Sequence, residues 1–307
     1  MAMKPIEKLS FIHPVTDTIH MAGGPGNGRF PHCNSFLLCG DRTVLIDAGI
    51  GVQRIDAIDR QMRIDTLVVS HPHPDHILAW HALADREIIL PAQTPDSVFD
   101  LTQLGRRFVE GREDAAYWTQ VVESQLGIHP MRPPDRRFAD GDVLDFGAIQ
   151  LQAIHAPGHL TDHYGFMELR SKTLFSIDVD FTGFGPWYGN PESDLRLFRE
   201  SVVKLRQVPC SRICTSHKRP ITAADADQAF RHYLAAFDRH MQSILDLCRQ
   251  GMDLNAMRKA SPFYRNRMPD ATFQRIFETQ MIRKNLELLI DDGRVAEKRG
   301  RYLALAE

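Results

Sequence analysis

The sequence predicts an α/β fold followed by a mainly helical, winged-helix-like segment. Two observations carry that prediction. From residue 16 to about 220, short β-rich runs alternate with helical stretches; after Pro220 long helical stretches take over. The chain has 307 residues, 43% hydrophobic and 25% charged, which suffices for a large buried core. A formal charge of −2 gives no electrostatic reason to expect nucleic acid or an anionic membrane as the main partner.

The elements follow in order. Asn34–Leu38 and Thr43–Asp47 are apolar runs bounded by Gly40 and Gly49, a hairpin pattern. Thr66–Ser70 is a compact strand with a short helix, Ile77–Leu83, behind it, and Ile88–Leu90 is a strand closed by Pro91. Residues 96–127 are helical in composition without a sharp apolar face and read as an inserted cap. Val143–Ile154 turns at Gly147, and His163–Leu169 pairs with Thr173–Ile177. Asp194–Leu205 places Leu195, Phe198, Val202 and Leu205 on one helix face, and Arg212–Thr215 is a last short strand. Ala223–Gln250 and Ala271–Ile290 are helices, and the closing DDGRVAEKRGRYLAL reads as a two-stranded wing. The expected division is a catalytic domain over 1–220 and an extension over 221–307.

The N-terminal MAMKPIEKLSFIHPV has no apolar stretch of signal-peptide length, and no apolar run reaches the roughly 18 residues of a membrane span. The five cysteines form no C-x-x-C pair. Reduced thiols in a cytoplasmic protein without membrane partners are the expectation.

The chemistry concentrates in Ser70-His71-Pro72-His73-Pro74-Asp75-His76. In extended chain, residues two apart face the same side, so His71 and His73 can share one ion. Pro72 and Pro74 hold the preceding residues extended. The helix then begins, turning Asp75 and His76 toward a neighbouring position. A lone histidine is usually a packing residue or a cap. Three histidines and an aspartate within six residues at a strand end have no structural need for one another and suit Zn²⁺, Fe or Mn. Three further strand ends carry such groups: His159 after Ala156-Pro157-Gly158, Asp178 after Leu174–Ile177, and His217 after Thr215-Ser216.

Taken together, H-x-H-x-D-H, P-G-H, a strand-end aspartate and a final histidine resemble the metallo-β-lactamase-fold hydrolase superfamily over about residues 16–220. The resemblance implies a four-layer αββα sandwich with the site along one edge of its sheets. It implies two divalent ions, zinc foremost, with His71, His73 and His159 at the first, Asp75, His76 and His217 at the second, and Asp178 bridging. A hydroxide shared by the two ions would attack an ester, thioester, lactone or similar small-molecule bond, and Asp75 would also relay the proton. Ser70, Asp162 or His163 would orient the imidazoles. Two departures stand out: Ile177 precedes the bridging Asp where glycine is usual, and Leu160-Thr161-Asp162-His163 replaces Thr-x-Gly-His.

Phe181–Asn190 is aromatic and glycine-rich, so Phe184, Trp187 and Tyr188, with His163, are expected to line a substrate pocket. His32 and His155 read as structural. The alternatives are a nuclease acting on RNA or DNA, for which the basic wing (Arg294, Lys298, Arg299, Arg301) would supply affinity, and a mononuclear-iron dioxygenase. A non-catalytic scaffold would have no use for seven ligands. A homodimer is compatible with the helical tail.

Overall fold

In a computed structural model, which describes residues 5–305, two twisted sheets pack face to face. The first sheet runs in chain order: β1 (Ile12–Pro14), β2 (Ile19–Ala22), β3 (Ser35–Cys39), β4 (Thr43–Ile46), β5 (Thr66–Val68), β6 (Glu87–Pro91) and β7 (Arg136–Phe138). Strands β1 to β4 pair antiparallel, and β4 to β7 parallel. The second sheet contains β8 (Val143–Asp145), β9 (Gln150–His155), β10 (Tyr164–Glu168), β11 (Thr173–Ile177), β12 (Arg212–Thr215) and β13 (Ile221–Thr222) in the order β13-β12-β11-β10-β9-β8. Only its β11–β12 pair is parallel.

Period-two geometry explains why these strands are apolar on both faces. Phe36, Leu38, Val44, Ile46, Val68 and Ile89 point inward, meeting Leu151, Phe166, Phe175, Ile177 and Cys214 of the second sheet. Their neighbours Leu37, Leu45, Leu67, Ile88 and Leu90 point outward, where the helix Val52–Gln61 covers them with Ile55 and Ile58. On the other side, Phe198, Val202 and Leu205 of the helix Leu195–Arg206 cover Ile154, Met167, Leu174 and Ile213. The result is helix, sheet, sheet, helix, the four-layer sandwich expected.

The cap holds a 3₁₀ turn (Asp96–Phe99) and two helices, Leu101–Phe108 and Arg112–Ser124, whose Leu104, Phe108, Trp118 and Val122 join the first outer layer. Asp100 caps the first helix by accepting from the amides of Thr102 and Gln103. The tail consists of three helices, Ala223–Arg249, Leu254–Ala260 and Ala271–Asp291, and a hairpin of β14 (Val295–Lys298) and β15 (Arg301–Ala304). Leu254–Ala260 went unread in the sequence because it is two turns long; Asp253 caps it through the Ala256 amide. Strands β1, β2 and β7 also went unread: β1 and β7 have three residues each, too short for a visible alternation. Likewise Ile77–Leu83 is not one helix but the single turn Pro74–Ile77 followed by a 3₁₀ turn, Trp80–Leu83.

The tail packs on both outer layers. Phe273, Ile276 and Phe277 lie in the first, and Ile244, Met281, Ile282 and Leu286 in the second. Among the described residues, no helix is long and apolar enough to cross a membrane.

Candidate metal centre

The loops that leave β4, β5, β9, β11 and β12 open on the same edge of the sandwich, and there the seven expected side chains meet. The extended backbone at His73 (φ −60°, ψ 148°) and Pro74 in the first helical turn set the switch from strand end to helix. His71 Nε2 and His159 Nε2 each lie 2.9 Å from His73 Nδ1, and His71, His73, His159 and Asp178 form one buried ligand group. Asp75, His76 and His217 form a second. Asp178 faces both. Its Oδ2 is 3.3 Å from His159 Nε2 and 3.8 Å from His71 Nε2, and its Oδ1 is 3.1 Å from His76 Nε2 and 3.7 Å from His217 Nε2. Asp75 Oδ2 completes the second group, 3.5 Å from His217 Nε2 and 3.9 Å from His76 Nε2.

This arrangement fits metal ions better than hydrogen bonding. Three ring nitrogens crowd together around one point, yet a single proton cannot satisfy both contacts to His73 Nδ1. His76 Nε2 and Asp178 Oδ1 are buried without a hydrogen-bond partner although they lie 3.1 Å apart. Buried polar atoms left without partners are rare and costly. A cation between them resolves the cost, and nitrogen with carboxylate oxygen is the donor set of Zn²⁺, Fe or Mn.

Electrostatics point the same way. Burial, then His76, holds His71 well below the ordinary imidazole range, and burial, then His159, does so for His73. Both therefore offer lone pairs at neutral pH, as a metal ligand must. Burial pushes Asp178 upward, but His76 and His217 outweigh it and hold the carboxylate ionised. For His217 burial is outweighed by Asp178, then Asp75 and Asp180, raising it to about 10. His76 is raised too, burial being overcome by Cys33, Asp178 and Asp47. Because burial pushes the Cys33 thiol itself up to about 12, the carboxylates Asp178, Asp47 and Asp75 are the partners that act on His76 at neutral pH.

Backbone constraints place the ligands. Gly158 has φ +112°, and a Cβ there would come within 2.1 Å of the Phe198 amide nitrogen at the start of the helix Leu195–Arg206. Only glycine allows the turn that brings His159 into the group. Ile177, where the resemblance leads one to expect glycine, sits at φ 54° with its side chain fully buried between the sheets. That region disfavours β-branched residues by about 1–3 kcal/mol, a cost comparable to the roughly 2–3 kcal/mol gained by burying an isoleucine.

The supports around the ligands were only partly foreseen. Ser70 does reach a candidate ligand: its hydroxyl donates to Asp47 Oδ2 (2.7 Å) and lies 3.0 Å from His71 Nδ1. Asp47, missed as a functional residue, also accepts from His76 Nδ1 at 2.7 Å, the carboxylate–histidine pairing that fixes an imidazole's tautomer. Asp162 accepts from Arg107 of the cap at 2.7 Å, and Arg107 also reaches Glu192. Asn190, likewise missed, lies 2.6 Å from His73 Nε2.

Of the expected pocket residues, Trp187 flanks the site, whereas Phe184 packs away from the ligands. Trp187 packs edge-on against His73 and His159, its carbonyl accepts from His159 Nδ1 (2.8 Å), and its indole N–H donates to Tyr264. Phe184 packs on Tyr264. Two further placements need correction. Tyr188 is fully buried, donating its hydroxyl to His240 Nδ1 and accepting from Asn285, so it belongs to the core beneath the loop. His163 is also fully buried: its Nδ1–H donates to the Ala156 carbonyl, its Nε2 accepts from the Asp178 amide, and burial lowers it to about 3. It braces Asp178 from below rather than lining a pocket. His32 hydrogen-bonds the Gly49 carbonyl and His155 the Thr161 carbonyl, both in structural settings.

Comparison with known proteins agrees with this geometry. Residues 28–217 match the model of the metallo-beta-lactamase superfamily. The chain is 25% identical over 197 residues to an atrochrysone carboxyl ACP thioesterase of Aspergillus fumigatus, a match covering 62% of this chain and about half (52%) of that protein. It is 28% identical over 137 residues to the hydroxyacylglutathione hydrolase GloC of Haemophilus influenzae, covering 43% of this chain and 56% of the relative. Among solved structures, a metallo-beta-lactamase family protein from Thermus thermophilus superimposes with a TM-score of 0.75 at 19% identity, covering 95% of this chain and all of that one. A beta-lactamase domain protein from Burkholderia ambifaria gives 0.73 at 18%, covering 96% and 93%, so in both the fold likeness extends through the tail helices. With a family match over more than half its length and the family's histidines and aspartates gathered on one sheet edge, the chain belongs to the metallo-β-lactamase superfamily of metallo-hydrolases.

Proposed function

We propose that the protein is a binuclear metal-dependent hydrolase that cleaves acyl thioesters. The observation that carries the reading is Asp178, whose two oxygens face two separate ligand groups. His71, His73 and His159 would hold one ion, Asp75, His76 and His217 the other, and Asp178 both. Zinc suits the set best, and the same donors accept iron or manganese. When bound, such a pair of ions lowers the pKa of water and polarises a carbonyl oxygen.

The chain's own residues do the rest. Trp187 forms an apolar wall beside His73 and His159 and excludes bulk water from the acyl group. Asp75, buried at the second group, accepts the proton of the attacking water and returns it to the leaving group. Water adds its oxygen to the carbonyl carbon, the C–S bond breaks, and a carboxylic acid and a thiol are the products. A thiolate, with a parent pKa near 8.5, leaves with little acid assistance, which suits a site whose proton carrier is a carboxylate. The thioesterase and the acylglutathione hydrolase among the relatives support the thioester over the ester and lactone.

The test is a panel of acyl thioesters, p-nitrophenyl esters, lactones and single-stranded RNA, offered to metal-stripped protein before and after zinc addition, with metal content measured in parallel. Thiol release from thioesters that appears only on reloading, at two ions per chain, is expected. Cleavage of RNA with no thiol release would overturn the reading in favour of a nuclease, and activity with a single iron would favour an oxygenase.

A further inference from the structure

His73, like His159 and His217, takes its support from residues distant in sequence. It lies between two prolines, and apart from His71 (centroids 4.7 Å apart) what surrounds its ring comes from elsewhere: Phe108 of the cap (5.1 Å), Trp187 (5.4 Å) and Asn190, whose amide nitrogen Nδ2 is placed 2.6 Å from Nε2. Its Nδ1 faces the other ligand nitrogens, so the proton of the neutral ring must sit on Nε2. An acceptor is then needed there, and the amide oxygen of Asn190, brought round by a half-turn of the side-chain amide, supplies it. Asn190 is 1% exposed, so no water competes for that bond.

The loop that carries Asn190 is itself held by the tail. Gln280, on the helix Ala271–Asp291, is buried and donates through Nε2 to the carbonyls of Gly189 and Phe108, while its Oε1 accepts from the Glu110 amide. One side chain thus ties the residue before Asn190 to the cap residue whose ring packs on His73. Tyr264 does the same for Trp187 by accepting its indole N–H. From these contacts we infer that Asn190 is a positioning residue for the first metal, fixing the tautomer and orientation of His73, and that Gln280 of the C-terminal helix sets Asn190 in place. The tail is thereby part of the metal site without contributing a ligand. This inference rests on His73 being a ligand.

The experiment is competition for zinc between a chromophoric chelator and the full-length protein, comparing wild type with Asn190→Leu, Asn190→Asp, Gln280→Leu and His73→Ala. Circular dichroism and thermal unfolding of the metal-free proteins show which variants fold. Asn190→Leu keeps the branched shape and removes the acceptor; its zinc affinity at the site that His73→Ala weakens should fall about 10–100-fold, the usual effect of removing a ligand's supporting bond. Asn190→Asp keeps an acceptor and should stay within about threefold of wild type, a contrast that a purely packing role cannot produce because leucine packs better than aspartate. Gln280→Leu should weaken binding in the same direction. Equal affinity of Asn190→Leu and wild type, with His73→Ala weakened, overturns the inference alone. Undiminished zinc binding by His73→Ala overturns the ligand assignment beneath it. Should Asn190→Leu fail to fold, Asn190→Asp and Gln280→Leu still decide: loss in the aspartate variant equal to that in Gln280→Leu refutes the acceptor role.

Discussion

Asp178→Asn preserves the shape of the side chain at the junction of the two ligand groups and removes only its charge. On the proposed two-ion reading, one shared carboxylate is lost from both ions, so the affinity loss should exceed the roughly 100-fold that follows removal of a mere supporting bond. Stoichiometry after dialysis should fall from two ions to one or none. The metal-free protein gives an independent reading. His217 is raised from 6.5 to about 10, which corresponds to roughly 5 kcal/mol of preference for the charged ring. Burial opposes that preference, and Asp178, 3.7 Å away, is the largest of the three carboxylates that create it, ahead of Asp75 and Asp180. Its share is therefore at least a third, and the His217 pKa should drop by more than about one unit in Asp178→Asn. The sign for stability follows: a raised imidazole stabilises the metal-free fold fully below pH 6.5, and that contribution fades as pH rises through about 10. Histidine-labelled NMR titration reads the pKa drop, and metal analysis after dialysis the loss of ions. Two ions bound at wild-type affinity, together with a His217 still titrating near 10, would refute both the bridging geometry and the electrostatic argument.

Three further outcomes follow from particular contacts. Arg107→Met leaves Asp162, wholly buried, and Glu192 without their cation; it should cost about 3–5 kcal/mol in thermal or urea unfolding, and a loss below about 1 kcal/mol would show the cap held by apolar packing alone. Gly158→Ala forces a Cβ into the Phe198 backbone at a φ of +112°, and should lose at least about 2 kcal/mol of stability and metal content with it; an alanine variant with wild-type zinc content would contradict the turn described. His240, lowered by burial to about 4, donates from Nε2 to the Phe184 carbonyl and accepts at Nδ1 from Tyr188, so the fold needs it neutral. Its contribution, up to about 3 kcal/mol, is complete above pH 6.5 and lost as pH falls through 4; His240→Asn should flatten that acid limb of the stability profile.

The candidate ligand groups that the fold gathers were legible because metal chemistry restricts residue type and spacing so severely. His71, His73, Asp75 and His76 crowd six positions, and His159, Asp178 and His217 each close an apolar strand. The sandwich was legible from those strands, except where an element such as β7 is too short to show a period. The supports were not legible. Asp47 closes a strand before a glycine and looks like a turn residue; only the fold places its carboxylate 2.7 Å from His76, 29 positions away. Asn190 and Gln280 lie 117 and 207 positions beyond His73 by residue number, in a loop and on a helix face where amides are ordinary. Tyr188 was misplaced for the converse reason: an aromatic beside a ligand strand reads as a pocket wall until the tail helices are seen to cover it.

The same difference explains why the cap and the tail matter to a site whose ligands all lie within 1–220. Sheets can bring strand ends together, but an imidazole ring also needs its free nitrogen bonded and its faces packed before its lone pair points at one place. For His76 the sandwich supplies that bond itself, through Asp47. For His73 it does not: the nearest acceptor is on the loop 181–190, the packing comes from Phe108 and Trp187, and the side chains that hold those three, Gln280 and Tyr264, belong to the tail. Removing the tail should therefore affect the first ligand group, through His73, more than the second, because Asp47 continues to brace His76 and the Gly28 carbonyl His217 from within residues 1–220.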